Sequence, residues 1–189
     1  MIRKATKQDI DAIYPLIYII WEDMNYPLLR LLDKDTFQKT MLHILADEHA
    51  KFSYKNAWVY EKENQIIGVL YGYAGQDERQ FDEHFHTFID AHFPHLNIRQ
   101  YESNRESHDN EWYLDSLVVH SNYRGQGIAS AFFDVLKDIV APYQRVGLNC
   151  EQDNLQAKKL YERLGFSTVY EIDFLGHRYY HMEKSISSL

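Results

Sequence analysis

A strand, a glycine-rich turn and a helix follow one another without a gap within residues 117–140, and this feature constrains the fold most. The strand ends in the β-rich run Leu117-Val118-Val119, and the turn reads Arg124-Gly125-Gln126-Gly127-Ile128-Ala129. Apolar residues recurring at helical spacing then predict an amphipathic helix over residues 127–140. The apolar positions of that helix are Phe132, Phe133, Leu136 and Val140. This order of elements favours an α/β fold.

The small residues at the start of this helix indicate an anion-binding site. Gly125 and Gly127 carry no side chain and let the backbone approach a ligand closely. The first amides of a helix lack internal partners, and the helix dipole favours negative charge there. Two phosphate signatures do not fit: the dinucleotide fingerprint needs glycine where Ser130 stands, and the Walker signature needs Gly-Lys-Ser or Gly-Lys-Thr. A dinucleotide-binding protein is therefore a disfavoured alternative.

A second motif follows after one predicted strand, and reads Asn154-Leu155-Gln156-Ala157-Lys158-Lys159-Leu160-Tyr161-Glu162-Arg163-Leu164-Gly165-Phe166. On a helix, Asn154, Ala157, Lys158 and Tyr161 lie along one face. This helix, together with Arg124-x-x-Gly127-x-Ala129, resembles the coenzyme A signature and the Asn-x-x-Ala-x-x-Leu-Tyr-x-x-x-Gly-Phe helix of the GNAT superfamily of N-acyltransferases. The resemblance is specific over residues 111–184 and extends loosely to residues 1–75.

The resemblance implies an acetyl-CoA-dependent N-acetyltransferase in which an amine attacks the thioester directly, with acetyl-CoA as co-substrate and no metal. It implies that the turn holds the pyrophosphate of CoA and that the backbone of the preceding strand holds the pantetheine arm. It also implies that Tyr161 assists the departing thiolate and that Asn154, which is equally placed to be a helix N-cap, contacts the cofactor. The implied cofactor-binding residues are Leu117, Val118, Val119, Arg124, Gly125, Gln126, Gly127, Ile128, Ala129, Asn154 and Tyr161.

The general base is less well defined. Glu111, Tyr113, Asp115, Leu117 and Val119 are predicted to alternate onto one face of the strand. Tyr113-Leu114-Asp115 resembles the stretch that polyamine acetyltransferases carry before the loop, which makes Asp115 the first candidate. Glu111 is the second, because other family members place a glutamate nearer that position. A third alternative is that neither acid is catalytic.

The whole chain is predicted to be one domain over residues 1–189, and the resemblance implies a mixed, mostly antiparallel sheet. Helices are expected on both faces, with strands 4 and 5 splayed apart. Helices are predicted at 8–23, 33–48, 127–140 and 154–164. The helix at 127–140 is expected to stop near Pro142, and the helix at 154–164 is expected to end at Gly165. Strands are predicted at 2–5, 57–62, 65–74, 111–120, 145–151, 167–173 and 177–184.

Residues 76–110 are predicted to be a polar insertion between strands 3 and 4, with a helix inside it. Five acids fall within fifteen residues of it, and we expect them to attract a cationic amine. Its histidines at 84, 86, 92 and 95 lack a clean metal-ligand set. The acids are Asp77, Glu78, Asp82, Glu83 and Asp90.

Charge and composition limit the partners. The formal net charge is −8, which disfavours nucleic acid as a partner. No run is long and apolar enough to span a bilayer, and Cys150 is the lone cysteine. These features predict a cytoplasmic protein. The resemblance implies a small-molecule or peptide amine as the acceptor, and a homodimer is left open. The competing class is a non-catalytic sensor that binds CoA or a partner on the same fold.

Overall fold

The computed structural model describes residues 1–101, 105–140 and 143–186. The strands there are β1 (Ile2–Lys4), β2 (Ala57–Lys62), β3 (Gln65–Ala74), β4 (Trp112–Val119), β5 (Arg145–Glu151), β6 (Ser167–Phe174) and β7 (His177–Ser185). The α-helices there are α1 (Ile10–Asp23), α2 (Leu28–Leu31), α3 (Lys34–Ala46), α4 (Glu78–His92), α5 (Ile128–Ile139) and α6 (Leu155–Arg163).

The strands form one sheet in the order β1-β2-β3-β4-β5-β7-β6. Each neighbouring pair is antiparallel except β4 and β5, which run parallel. Their pairing joins only Trp112–Leu114 to Val146–Leu148, although both strands continue beyond it. The predicted fold class, a mostly antiparallel sheet with helices around it, is confirmed.

Each face of the sheet carries its own apolar core because successive side chains of a strand point to opposite faces. Val59 of β2 packs with α1 and α3 on one side, where Ile13, Ile17 and Met41 are fully buried. The other side is filled by α5, whose Phe132 and Leu136 are also fully buried. The two helical layers cover both faces of the central strands, whereas β6 at the edge of the sheet keeps exposed positions.

Local sequence signals explain most element boundaries. Asp33 begins α3 as its N-cap, since its carboxylate accepts hydrogen bonds from the backbone amides of Asp35 and Thr36. The turn between β2 and β3 places Glu63 and Asn64 at φ of 51° and 61°, as a tight hairpin requires. The four-residue helix α2 was not predicted. Pro142 lies outside the described residues.

The predicted insertion contains α4 and a short 3-10 helix at Ile98–Tyr101. Ile89 of α4 and Ile98 are buried in the same apolar cluster as α1 and α3. The phenyl ring of Phe88 stacks on His43 of α3, with ring centroids 5.0 Å apart. The insertion is therefore part of the core. Within the described residues, no helix combines the length and the hydropathy that crossing a bilayer demands.

The alternation predicted along β4 is wrong. Opposite β4, Tyr71 pairs with Ser116 and Gly72 pairs with Leu114, so Asp115 is an extra residue in a β-bulge. Tyr113 therefore faces the α1 side of the sheet, whereas Leu117 packs on the α5 side. A bulge inserts one unpaired residue and reverses the face of everything after it, which a simple period of two cannot foresee.

Candidate active site

A long cleft opens where β4 and β5 part after Leu114 and Leu148. It belongs to a cavity of about 1320 Å³ that begins at the start of α5, passes the parting point and ends between α1 and α4. We call the part bordered by α5 and α6 the cofactor end, and the part bordered by α1, α4 and residues 51–52 the acceptor end. A volume of this size accommodates two reactants at once.

The turn before α5 forms the floor of the cofactor end. Gly125 and Gly127 adopt φ of +74° and +79°, a left-handed conformation that glycine adopts without steric cost. Gly127 is the N-cap of α5, so the amides of Ile128, Ala129 and Ser130 form its first turn and have no upstream helical acceptor. A Cβ built on either glycine meets nothing within 4 Å, so the turn is open for a ligand.

The rest of the turn supports this geometry. The guanidinium of Arg124 donates through Nε to the carbonyl of Val119 at 3.1 Å, which ties the turn to the end of β4. The side-chain amide of Gln126 donates to the carbonyl of Asn122 at 3.3 Å. Both side chains therefore shape the turn, and the predicted anion site presents mainly backbone amides.

α6 supplies the opposite wall of the cofactor end. Asn154 is its N-cap, accepting a hydrogen bond from the amide of Ala157 at 3.0 Å through Oδ1, and it also borders the cavity. Tyr161 borders the cavity between the rings of Phe133 and Phe166. Burial raises the pKa of the Tyr161 phenol, and the nearby Cys150 thiol adds to this. The phenol therefore stays protonated at neutral pH and can donate a hydrogen bond.

Three charged side chains meet where the cofactor end joins the acceptor end. The ammonium of Lys51 contacts the carboxylate of Glu106 and lies 3.3 Å from Oδ1 of Asp115. All three are largely buried, with side-chain exposures of 16%, 11% and 6% respectively. We call Lys51, Glu106 and Asp115 the charged triad.

Burial and like charge govern this triad. Burial raises the pKa of Glu106 to about 7, because it and the neighbouring Asp115 outweigh the attraction of Lys51. Burial alone would lower the pKa of Lys51, but Glu106, Tyr73 and Asp115 raise it above its usual value. Lys51 is therefore a fixed cation, whereas Glu106 can exchange a proton near neutral pH.

Sequence reasoning missed Lys51 and Glu106. Lys51 lies in the turn after α3 and Glu106 lies in a predicted loop, and neither stands in a recognisable motif. Glu106 is held in place by Glu78 of α4, which is 2% exposed and whose carboxylate accepts from the backbone amides of Glu106 and Ser107 at 2.8 and 2.9 Å. Arg105 donates to the same carboxylate at 3.1 Å. Only a three-dimensional arrangement brings these segments together.

Glu111 does not border the cavity. Its side chain is fully buried, its Oε1 accepts from the backbone amide of His108 at 2.8 Å, and its Oε2 lies 3.2 Å from Nε2 of His181. A Cβ on Gly147 would lie 2.0 Å from this carboxylate, so glycine at that position makes room for it. The second base candidate thus occupies a different environment from Asp115.

The hydrogen bonds of Glu111 and His181 extend to Glu106 through Asn149. Asn149 donates through Nδ2 to the carbonyl of Glu106 at 3.1 Å, so its Oδ1 is left to accept from Nδ1 of His181 at 2.8 Å. His108, His181 and Glu183 also bring potential metal-ligand atoms within 4.8 Å of one another. Both ring nitrogens of His181 already face hydrogen-bonding partners, and Glu183 pairs with Arg145 at 2.9 Å. We interpret the group as a hydrogen-bond network.

The acidic cluster of the insertion is divided. Asp82 and Glu83 border the acceptor end. Glu83 also lies 3.4 Å from Arg99, and Asp90 lies 3.7 Å from the same guanidinium. Glu78 is occupied with residues 105–107, as described above. Positive charge from Arg99 and Arg105 therefore offsets part of the negative field expected at this end.

Two parallel strands that part beside a left-handed glycine turn and a buried tyrosine are the features that the resemblance to N-acyltransferases predicts. The comparison with known families makes this specific: the Acetyltransferase (GNAT) family matches residues 15–166. The chain therefore belongs to the GNAT acetyltransferase family, whose members use acetyl-CoA. The family and enzyme class predicted from the two motifs are confirmed.

Individual relatives agree with this assignment. An acetyltransferase crystal structure shares 33% identity, with 98% of this chain and 99% of that chain covered and a TM-score of 0.83. An N-acetyltransferase from Staphylococcus aureus Mu50 shares 29% identity, with coverage of 97% and 100% and a TM-score of 0.83. N-alpha-acetyltransferase 30 of Schizosaccharomyces pombe is 40% identical over 72 residues, which span 36% of this chain and 44% of that protein.

Proposed function

We propose that the protein transfers the acetyl group of acetyl-CoA to a primary amine. The observation that carries this proposal is the parting of β4 from β5 directly beside the open glycine turn of α5. Beyond Leu114, the edge of β4 that faces β5 has no strand partner among the described residues, so Leu117, Val118 and Val119 can offer backbone groups to the pantetheine arm. The amides of the turn, at residues 125–129, then bind the pyrophosphate.

The proposed reaction is a direct attack. The amine nitrogen bonds to the thioester carbonyl carbon, the carbon–sulfur bond breaks, and the products are an amide and CoA. A backbone amide of β4 stabilises the negative charge that develops on the carbonyl oxygen. Tyr161 donates a hydrogen bond from its hydroxyl to the departing sulfur, in keeping with its place on the cavity wall. The proton that the nitrogen loses on becoming an amide balances the charge of the thiolate.

We assign the role of general base to Glu106. It borders the cavity, and a carboxylate with a pKa of about 7 can take a proton from an ammonium near neutral pH. Asp115, the first candidate from sequence, holds Lys51 beside Glu106 and so influences the protonation of Glu106. Glu111 lies outside the cavity, and we assign it a structural role.

The test is release of free thiol from acetyl-CoA in the presence of a panel of primary amines, together with calorimetric titration of CoA and of NAD. Acetyl transfer predicts amine-dependent thiol release, and CoA binding without NAD binding. Binding of CoA with no thiol release from any amine would instead identify a sensor. A matched control is Glu162→Gln on the exposed surface of α6, which should behave as the wild type.

A further inference from the structure

Aromatic side chains from three segments line part of the wall at the acceptor end. Trp21 and Tyr26, from the end of α1 and the turn after it, stack with ring centroids 6.4 Å apart. Phe52 meets Trp21 edge to face at 5.6 Å, and Phe81 and Phe85 of α4 border the same space. We call these five residues the aromatic chamber. Such a wall binds apolar and aromatic groups well, because it offers a large rigid apolar area.

One polar group of the chamber lacks a protein partner. The indole N–H of Trp21 is buried and finds no hydrogen-bond acceptor within the part of the chain that the structure describes. A buried donor without an acceptor is costly, and native proteins rarely leave one unmatched. Because this N–H is also closed to solvent, it does not define a ligand contact, and Trp21 contributes only its ring to the chamber.

The chamber has fixed walls. On the α4 side, the imidazole of His84 lies 2.6 Å from the carboxylate of Asp47, and Phe88 stacks on His43. On the β4 side, residues 105–107 are hydrogen-bonded to the buried Glu78. Moving α4 aside would expose Ile89, which is fully buried. These contacts favour a ligand that fits the existing space over one that requires α4 to move.

Charge at the inner end of the chamber sets the polarity of its ligand. The charged triad lies there, with Lys51 5.5 Å from the ring centroid of Tyr73 and 5.9 Å from that of Phe52. An acceptor amine that reaches the triad can pass its proton to Glu106. The rest of the acceptor then lies against aromatic rings.

We infer that the acceptor is a small primary amine that carries an aromatic or branched apolar group. This inference rests on the proposed acetyl transfer and narrows its substrate class. The amine meets Glu106, and the apolar group packs in the aromatic chamber. A protein N-terminus is the competing class.

Three acceptors of matched chemistry test the inference: phenylalaninamide, alaninamide and a tetrapeptide that begins with phenylalanine. Thiol release from acetyl-CoA should give kcat/KM for phenylalaninamide at least about tenfold above both others. Alaninamide lacks only the ring, and the tetrapeptide differs only in length. Equal or better use of alaninamide overturns the aromatic chamber, and equal or better use of the tetrapeptide overturns the small acceptor.

Two variants test whether the acceptor binds in the aromatic chamber. Trp21→Phe shrinks the ring that packs on Tyr26 and Phe52, and it should raise KM for phenylalaninamide several-fold while leaving KM for acetyl-CoA unchanged. Phe52→Leu serves as a second variant if Trp21→Phe unfolds, with the same expectation. An unchanged KM for phenylalaninamide in a folded variant overturns the inference.

The two proposals fail in different ways. If the tetrapeptide is acetylated best, acetyl transfer to an amine stands and the substrate class inferred here falls. If calorimetry shows that acetyl-CoA binds but neither these acceptors nor the wider amine panel releases thiol, acetyl transfer falls and the substrate class falls with it.

Discussion

At the scale of single residues, two side chains that differ in their proton chemistry border the cavity. Tyr161 keeps its proton because burial raises the pKa of its phenol, whereas Glu106 titrates near neutral pH. We propose Tyr161 as the hydrogen-bond donor and Glu106 as the proton acceptor. Their environments, more than their chemical types, separate the two roles.

Removing the Tyr161 hydroxyl tests the donor. Tyr161→Phe should lower kcat by about 10²–10⁴-fold, because the departing thiolate loses its hydrogen bond. The affinity for CoA, measured by calorimetry, should change little, since the ring still packs against Phe133 and Phe166. Tyr143→Phe, outside the cavity, is the matched control. An unchanged kcat in Tyr161→Phe would leave the residue a purely structural role.

The base is tested by a pH profile. The rise of kcat/KM with pH should have its midpoint near the pKa of Glu106, about 7, and Glu106→Gln should remove that limb and lower kcat about 10²-fold or more. Asp115→Asn should shift the midpoint but keep the limb. Retention of the limb in Glu106→Gln would contradict the assignment.

Glu106 also links stability to pH. Its pKa in the folded protein is about 7 against 4.5 for an ordinary glutamate, so the folded protein holds a proton that the unfolded chain has released between these values. This group's contribution to the free energy of unfolding therefore falls as pH rises from about 4.5 to 7. In denaturant unfolding across this window, the free energy of unfolding of Glu106→Gln should depend less on pH than that of the wild type. An unaltered pH dependence would count against the raised pKa of Glu106.

At the scale of elements, the strand–turn–helix unit of β4 and α5 could be predicted from sequence almost completely. Glycines at the turn, a β-rich run before it and helical spacing after it are local signals, and they located β4 and α5 to within about one or two residues at each end. The bulge at Asp115 could not be predicted, because it depends on pairing with β3. Lys51 and Glu106 were missed for the same reason, as their meeting is purely tertiary.

The turn of α5 can be tested with a matched pair of glycines. Gly127→Ala and Gly176→Ala both place a side chain at a positive φ, +79° and +84°, where a built Cβ meets nothing within 4 Å. Each should therefore lose about 1–2 kcal/mol of stability. Gly127→Ala should in addition weaken CoA binding, and Gly127→Val should abolish it, because the side chain occupies the ligand's approach. Equal CoA affinity in all these variants would remove the turn from the cofactor site.

At the scale of the whole molecule, buried carboxylates join the insertion to the sheet. Glu78 holds residues 105–107 from α4, and Glu111 holds His108 from the start of β4 while contacting His181 of β7. The segment that carries Glu106 is thereby fixed at both ends. The preorganised position of the base depends on the fold as a whole.

Glu111→Gln separates this structural role from a catalytic one. The variant should lower the free energy of unfolding by about 1–3 kcal/mol, since the buried pair with His181 loses its charge. The pH midpoint of kcat/KM should remain near that of the wild type. Glu171→Gln on the exposed part of β6 is the control. Loss of the rising limb of kcat/KM without loss of stability would return Glu111 to the list of candidate bases.

The two ends of the cavity also come from different parts of the chain. The acceptor end is built mainly from residues 19–106, and the cofactor end from residues 117–163. Mutations in the first part can therefore change which amine enters while the CoA contacts stay intact. Evolution can vary the substrate of such a protein without risking its cofactor, and an engineer who wishes to redirect the enzyme has a natural boundary along the sequence within which to build a library.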